Sequence, residues 1–291
     1  MSTPRTIRVA LLICGQLSGL VYVANGGYYD VYRRFLINSL PPNANTTVEV
    51  DGFDVVNDMK YPEEERISEY DVVMLTGSAA SAYENLEWIN RLVTFVQHVA
   101  NDHPKVKIYG ICFGHQIVGR ALGGKCVPNS GRWEIGPTTI QLTDLGKSMF
   151  GVDRLDIQQM HRDHVPLESL SGPFSSKELH LLGSTSISDN QGFVKYYPSE
   201  NQDSNSLERI HIITLQGHPE FTESIVTGII RQRSASGVID AAAAQGYFGE
   251  KGDQGDAEPQ NKEGTGRRWW KDDGVSIIGS VFWKILGVVS T

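Results

Sequence analysis

Cysteine is scarce: Cys14, Cys112 and Cys126 are the only three in 291 residues. An odd, widely spaced set supports neither a disulfide framework nor a CxxC metal site. That poverty fits a reducing compartment. Long hydrophobic runs are missing too, since no uncharged apolar stretch reaches the roughly 18 residues that a membrane span requires. The apolar N-terminal run is interrupted by Arg8 and flows straight into a strand pattern, unlike a signal peptide. Positive charge is also in short supply. The 26 basic side chains face 34 acidic ones, a formal charge of −8, which leaves no broad basic surface for nucleic acid. These absences predict a cytoplasmic protein that engages neither membrane nor nucleic acid. No internal repeat is present, and no GxxxxGKS/T loop for nucleotide phosphates.

What remains is an ordinary globular composition, with 40% hydrophobic and 21% charged residues and 30 glycines. The length allows one large domain or two small ones, either with a sizeable core. Ile7 to Cys14, Val48 to Val56, Asp71 to Thr76 and Lys107 to Ile111 read as strands. Between them, Tyr28 to Leu40, Tyr83 to Ala100 and Phe113 to Leu122 carry apolar residues at helical spacing. Alternation of this kind predicts βαβ units and a mainly parallel sheet covered on both faces. From Glu134 to Leu215 the pattern turns β-rich, with runs at Pro137 to Leu142, Leu179 to Ser184, Phe193 to Tyr197 and Ile210 to Leu215. These predict an antiparallel extension of the same domain. Glu223 to Ala244 reads as a closing helix despite Gly228 and Gly237.

Residues 249–274 are rich in Gly, Asp, Glu, Lys and Gln without apolar periodicity, the pattern of a flexible linker or loop. Val275 to Val289 then presents Ile277, Ile278, Val281, Phe282, Ile285 and Leu286 as a helical stripe. A lone Lys284 is a poor basic face for a membrane-surface helix, so the stripe predicts a terminal helix docked on the core. The organisation is therefore a domain over 1–248, a linker over 249–274 and a helix over 275–291.

The chemistry concentrates in Lys107 to Gly124, KIYGICFGHQIVGRALGG. A buried strand runs into Cys112 and a helix begins at once, the pattern of a nucleophile elbow. Small residues are needed two places before and two after the reactive side chain, and Gly110 and Gly114 stand there. A cysteine at a helix N-terminus is favoured as thiolate, the attacking species. Cys14 and Cys126 lack that setting and read as structural. A second constellation ends a predicted strand, RIHIITLQGHPEF from Arg209 to Phe221. In an extended segment residues i and i+2 share a side, so Glu220 can fix the tautomer of His218. Cys112, His218 and Glu220 then form a nucleophile, base and orienting acid.

GICFGHQ followed far along the chain by GHPE resembles the class I glutamine amidotransferase family. The resemblance covers nearly the whole chain and implies a flavodoxin-like three-layer α/β fold. It makes Cys112 the nucleophile, His218 the base and Glu220 the acid. An oxyanion hole follows, from the amide of Phe113 and from Gly77 or Ser78 in LTGSAASAYE, which resembles the family's glycine turn. Gln116 matches a position that contacts bound glutamine, with a solvent-facing helix residue as the alternative. Trp133, Glu134 and Gly136 match a stretch beside the pocket, where Trp133 binds substrate or simply packs.

The run QMHRDHV, Gln159 to Val165, superficially suggests a metal site through His161, Asp163 and His164. No third convergent segment is evident, so a structural cluster near the pocket is expected and no metal or cofactor is assigned. His98, His103, His115, His180 and His211 read as surface or core histidines. The implied reaction is attack by Cys112 on the γ-carbonyl of a small-molecule substrate, glutamine or a γ-glutamyl compound, through a thioester. The stretch after the closing helix is too short for a synthase domain, so the chain carries no ammonia acceptor of its own. Three readings stay open: a stand-alone γ-glutamyl hydrolase, which the resemblance to the γ-glutamyl peptidase group favours, a glutaminase subunit serving a separate synthase, and a catalytically silent binding or regulatory module.

Overall fold

A strand buried on both faces has no polar side to offer water, so near-continuous apolar runs pair in the middle of a sheet. The computed structural model describes residues 4–198, 206–251 and 272–290. Its first part forms β1 (Arg5–Ile13), α1 (Gly19–Asn25), α2 (Tyr28–Asn38), β2 (Thr46–Asp54), the single turn α3 (Glu64–Ile67), β3 (Val72–Leu75), α4 (Glu87–Asp102), β4 (Lys107–Ile111) and α5 (Phe113–Ala121). The middle adds β5 (Val127–Pro128), β6 (Glu134–Leu142), α6 (Asp144–Phe150), β7 (Arg154–His161), β8 (Asp163–His164), α7 (Ser171–Ser175), β9 (Leu179–Leu181), β10 (Gly183–Ser184) and β11 (Phe193–Tyr196). The chain closes with β12 (Ile210–Leu215), α8 (Glu223–Ala235), α9 (Ala241–Lys251) and, after a π-helical turn over Gly274–Gly279, α10 (Ser280–Ile285).

Seven strands make the main sheet in the order β2-β1-β3-β4-β12-β11-β9. The first five are parallel and the last two antiparallel. Successive side chains of a strand point to opposite faces, and the cores divide accordingly. Ile7, Val9, Leu11, Met74, Tyr109 and Ile213 join α2, α8 and α10 on one face. Ala10, Leu12, Val73, Leu75, Ile108 and Ile212 join α4 and α5 on the other. This is the flavodoxin-like three-layer α/β sandwich that the resemblance implies. Among the described residues no helix is long and apolar enough to cross a membrane.

The β-rich middle departs from the expected simple extension. Ile210 to Leu215 joins the main sheet as the parallel strand β12, only β11 and β9 extend that sheet antiparallel, and β10, β6 and β7 form a separate antiparallel sheet. Leu179 to Ser184 therefore divides between two sheets. The helix expected over Glu223 to Ala244 also breaks, because Gly237 takes φ 72°, a left-handed conformation that ends helices. Of the expected linker, residues 249–251 belong to α9 and 252–271 lie outside the described residues. Asp273 is buried and pairs with β7: its amide donates to the Asp156 carbonyl at 2.9 Å and its Oδ2 accepts the Asp156 amide at 2.8 Å.

Val281, Phe282, Trp283 and Ile285 of α10 are buried against β1 and α2. The Trp283 indole donates to Ser39 Oγ at 3.0 Å and the Tyr109 hydroxyl to the Phe282 carbonyl at 2.8 Å.

Candidate active site

β4 ends at Ile111 and α5 begins at Phe113, which leaves Cys112 alone in the turn. Its φ of 53° and ψ of −104° lie outside the usual regions and cost of order 1–3 kcal/mol. Tertiary contacts impose that conformation. The Cys112 amide donates to the Leu215 carbonyl at 2.8 Å. A β-carbon on Gly110 would lie 2.7 Å from the Gly114 carbonyl oxygen, and one on Gly114 would lie 2.6 Å from the Leu75 β-carbon. The small residues on either side of the elbow are thus a steric requirement.

β12 runs parallel to β4 with Leu215 paired to Ile111, so the segments after both strands emerge at the same edge of the sheet. That register brings His218 to Cys112. The His218 amide donates to the Gln158 carbonyl at 2.8 Å, which pins the turn to β7. Its Nδ1 donates to Glu220 Oε1 at 2.7 Å, and the ring lies flat on Phe221 with centroids 4.0 Å apart. The other edge of the imidazole is left to Cys112, whose charge acts on the ring. All three side chains are buried. Burial by itself lowers the His218 pKa, but the Cys112 thiolate and the Glu220 carboxylate outweigh it and raise the ring to about 10.

The oxyanion candidates separate by their hydrogen bonds. The Gly77 amide donates to the Tyr32 hydroxyl at 3.1 Å, so it is already engaged. The amides of Ser78 and Phe113 have no acceptor among the described residues and border the same pocket as Cys112. Gly77 serves the site sterically, because a β-carbon there would lie 2.7 Å from His218 Cε1.

The pocket over Cys112 is narrow, about 50 Å³, and its walls include Ser78, Gln116, Trp133, Asp163 and Arg233. Gln116 is buried and not solvent-facing; its amide donates to the Asp163 carbonyl at 3.0 Å. Trp133 is half-buried under the Arg162 guanidinium, 5.5 Å from its ring centre. It also borders a second, larger cavity of about 430 Å³ between β6 and α9.

His161, Asp163 and Glu134 do come together, as a polar network. His161 Nε2 lies 3.1 Å from Glu134 Oε2, and Glu134 accepts from Thr185 and Gln191 at 2.7 and 2.8 Å. Asp163 Oδ2 accepts the Ser81 hydroxyl at 2.6 Å, while Oδ1 is buried with no partner among the described residues. These side chains bring no three metal-ligand atoms together. Tyr32, Phe221 and Arg233 were not singled out by sequence for the site, and Asp163 was expected only as part of a structural cluster near the pocket. Phe221 directly follows the HPE triplet and was legible; Tyr32 carries no local signal.

Residues 29–231 match the family model described as glutamine amidotransferase class-I. The chain belongs to the class I glutamine amidotransferase family. Over 175 residues it is 35% identical to a putative glutamine amidotransferase-like protein of Schizosaccharomyces pombe, a match spanning 60% of this chain and 62% of that one. The chain thus covers less than two thirds of that relative's length. It is 29% identical over 224 residues to gamma-glutamyl peptidase 4 of Arabidopsis thaliana, covering 74% of this chain and 76% of that protein. Among solved structures, a glutamine amidotransferase from Thermotoga maritima superposes with a TM-score of 0.59 at 16% identity, over 96% of this chain and 98% of that one. At that identity the likeness concerns the fold alone.

Proposed function

We propose that this class I amidotransferase-family chain is a stand-alone γ-glutamyl hydrolase with Cys112 as nucleophile. The observation that carries the reading is the meeting of a strained Cys112 at the start of α5 with a His218 whose Nδ1 is held by Glu220 at 2.7 Å. In the proposed reaction the Cys112 thiolate attacks the γ-carbonyl carbon, and the amides of Ser78 and Phe113 receive the oxyanion. His218 gives its proton to the departing amine as the C–N bond breaks and a glutamyl thioester remains. It then takes a proton from water, whose oxygen attacks the thioester, and the product glutamate leaves as the Cys112 thiolate and the His218 imidazolium are restored.

The pocket also supports a zwitterionic substrate. Asp163 Oδ1 is a buried acceptor without a partner, which points to a ligand donor such as an α-ammonium. Arg233 on the same wall suits an α-carboxylate. The larger cavity beyond Trp133 offers room for the group on the amine side of the scissile bond. Relatives named gamma-glutamyl peptidase support hydrolysis over ammonia transfer.

The test is glutamate release by the purified chain alone, from glutamine and from a γ-glutamyl-cysteine conjugate in parallel, with Cys112→Ala as control. Faster, Cys112-dependent release from the conjugate is expected. Release from glutamine only after a synthase is added would assign the chain to a two-subunit amidotransferase, and no Cys112-dependent release under either condition would leave a silent module.

A further inference from the structure

At the opposite end of β4 from Cys112, two imidazole rings converge on one carboxylate. His98 lies in the last turns of α4, His103 directly follows that helix, and Glu64 opens α3. His98 Nε2 is 2.9 Å and His103 Nε2 3.0 Å from the Glu64 carboxylate oxygens. The other ring nitrogens are held as well: His98 Nδ1 is 2.7 Å from Asp102 Oδ2, and His103 Nδ1 is 2.9 Å from Ser68 Oγ. The two rings stand nearly perpendicular, at 83°. One donor atom from each of Glu64, His98 and His103 lies within 4.8 Å of the others.

We infer that Glu64, His98 and His103 form a binding site for a divalent transition-metal ion of the zinc class, with Asp102 and Ser68 orienting the two rings. Two imidazole nitrogens and a carboxylate are a donor set that zinc accepts, with a fourth position left to water. Ligand bonds of about 2.0–2.1 Å in a tetrahedron place neighbouring donor atoms about 3.3 Å apart. The nitrogen-to-oxygen distances of 2.9 and 3.0 Å therefore need to open by only a few tenths of an ångström. Asp102 accepting from Nδ1 leaves Nε2 as the metal-facing nitrogen, the outer-shell arrangement that fixes tautomer and ring orientation in metal sites.

Exposure supports the reading. The Glu64 side chain is 61% and that of His98 34% exposed, so an ion reaches the site from solvent without opening the fold. Exposed ion pairs repay little of the entropy lost in ordering long side chains, whereas an ion held by all three would tie α3 firmly to the end of α4. A metal-facing Nε2 must be free of its proton, so binding releases whatever protons these atoms share with Glu64.

Calorimetric titration of the metal-stripped full chain with Zn2+ alone tests this. One ion per chain is expected, with net proton release read from the dependence of the apparent heat on buffer ionisation, and with a raised Tm. Glu64→Gln, at an exposed position where folding is not at stake, is expected to weaken binding at least about tenfold, and Asp102→Asn about 10–100-fold. Cys112→Ala is expected to leave binding intact, which separates this site from the active-site thiol. Co2+ in place of Zn2+ should give a tetrahedral visible spectrum without a thiolate charge-transfer band. Absence of stoichiometric binding, binding unaltered by Glu64→Gln, or binding lost in Cys112→Ala overturns the assignment.

Discussion

The ring of His218 fills the space that a side chain on Gly77 would need, its Cε1 lying 2.7 Å from the position of a β-carbon there. Glycine at 77 is therefore a condition for the histidine to reach Cys112. Gly77→Ala is expected to push the ring out of line and lower kcat about 100-fold, the scale of an ångström misplacement at a reacting centre. Thermal unfolding should move little. Unchanged turnover in a folded variant would remove Gly77 from the site's architecture.

The three cysteines differ in what surrounds them. Burial pushes the Cys14 thiol up to about 12, and burial likewise raises Cys126. Cys112 instead faces the His218 imidazolium at a helix N-terminus. Iodoacetamide at neutral pH, followed by mass mapping, is expected to label Cys112 much faster than the other two. Equal or slower labelling of Cys112 would falsify the elbow assignment.

Glu220 acts on the reaction through the ring it holds. Glu220→Gln preserves the hydrogen bond in shape but removes the charge that stabilises the imidazolium. The expected result is a fall in kcat smaller than that of Cys112→Ala, together with an acid shift in the pH at which His218 loses its proton. Equal loss in two folded variants would give the carboxylate a larger part than orientation.

Two buried histidines make the fold acid-sensitive. Burial lowers His115 to about 3 and His211 to about 4, while an unfolded histidine titrates near 6.5. The unfolded chain therefore binds more protons below that pH, and stability is lost as pH falls from about 6.5 toward the folded values. Each ring contributes a slope of about 1.4 kcal/mol per pH unit. Urea unfolding at pH 7, 6 and 5 measures it, and His115→Asn should flatten the dependence. A flat profile in the unaltered chain would contradict the burial of both rings.

Trp283 is fully buried, and its indole is bonded to Ser39. Trp283→Ala opens a cavity in the core shared with β1 and α2 and removes one of the two hydrogen bonds of the buried Ser39 hydroxyl, which keeps its bond to the Leu36 carbonyl. A loss of about 3–5 kcal/mol is expected, read as a drop in the urea midpoint. A change below about 1 kcal/mol would mean that the site collapses and repacks.

The elements that sequence alone determined are those whose cause is local. Lys107–Ile111 and Ile210–Leu215 form strands with the bounds their patterns predict, because a continuous apolar run flanked by glycine or by a helix start has one inexpensive conformation. The elbow was legible for the same reason, since Gly110, Cys112 and Gly114 lie within one turn. β7 was not. Its Asp156, Gln158, Gln159 and His161 are buried polar residues without the apolar pattern of a strand, and the partners of Asp156, Gln159 and His161 are Thr139, Gln191 and Glu134 from other elements.

Convergence over long separations belonged to the tertiary structure. The HPE triplet announced a histidine and its acid, but the parallel pairing of β12 with β4 delivered them to Cys112. Tyr32 reaches Gly77 across the sheet edge, and Glu64 reaches His98 and His103 from a separate short helix. Periodicity reports which face of an element is apolar; it carries no information on which distant side chain meets it. That depends on strand order and on register, and both are set by how all the apolar faces are buried at once.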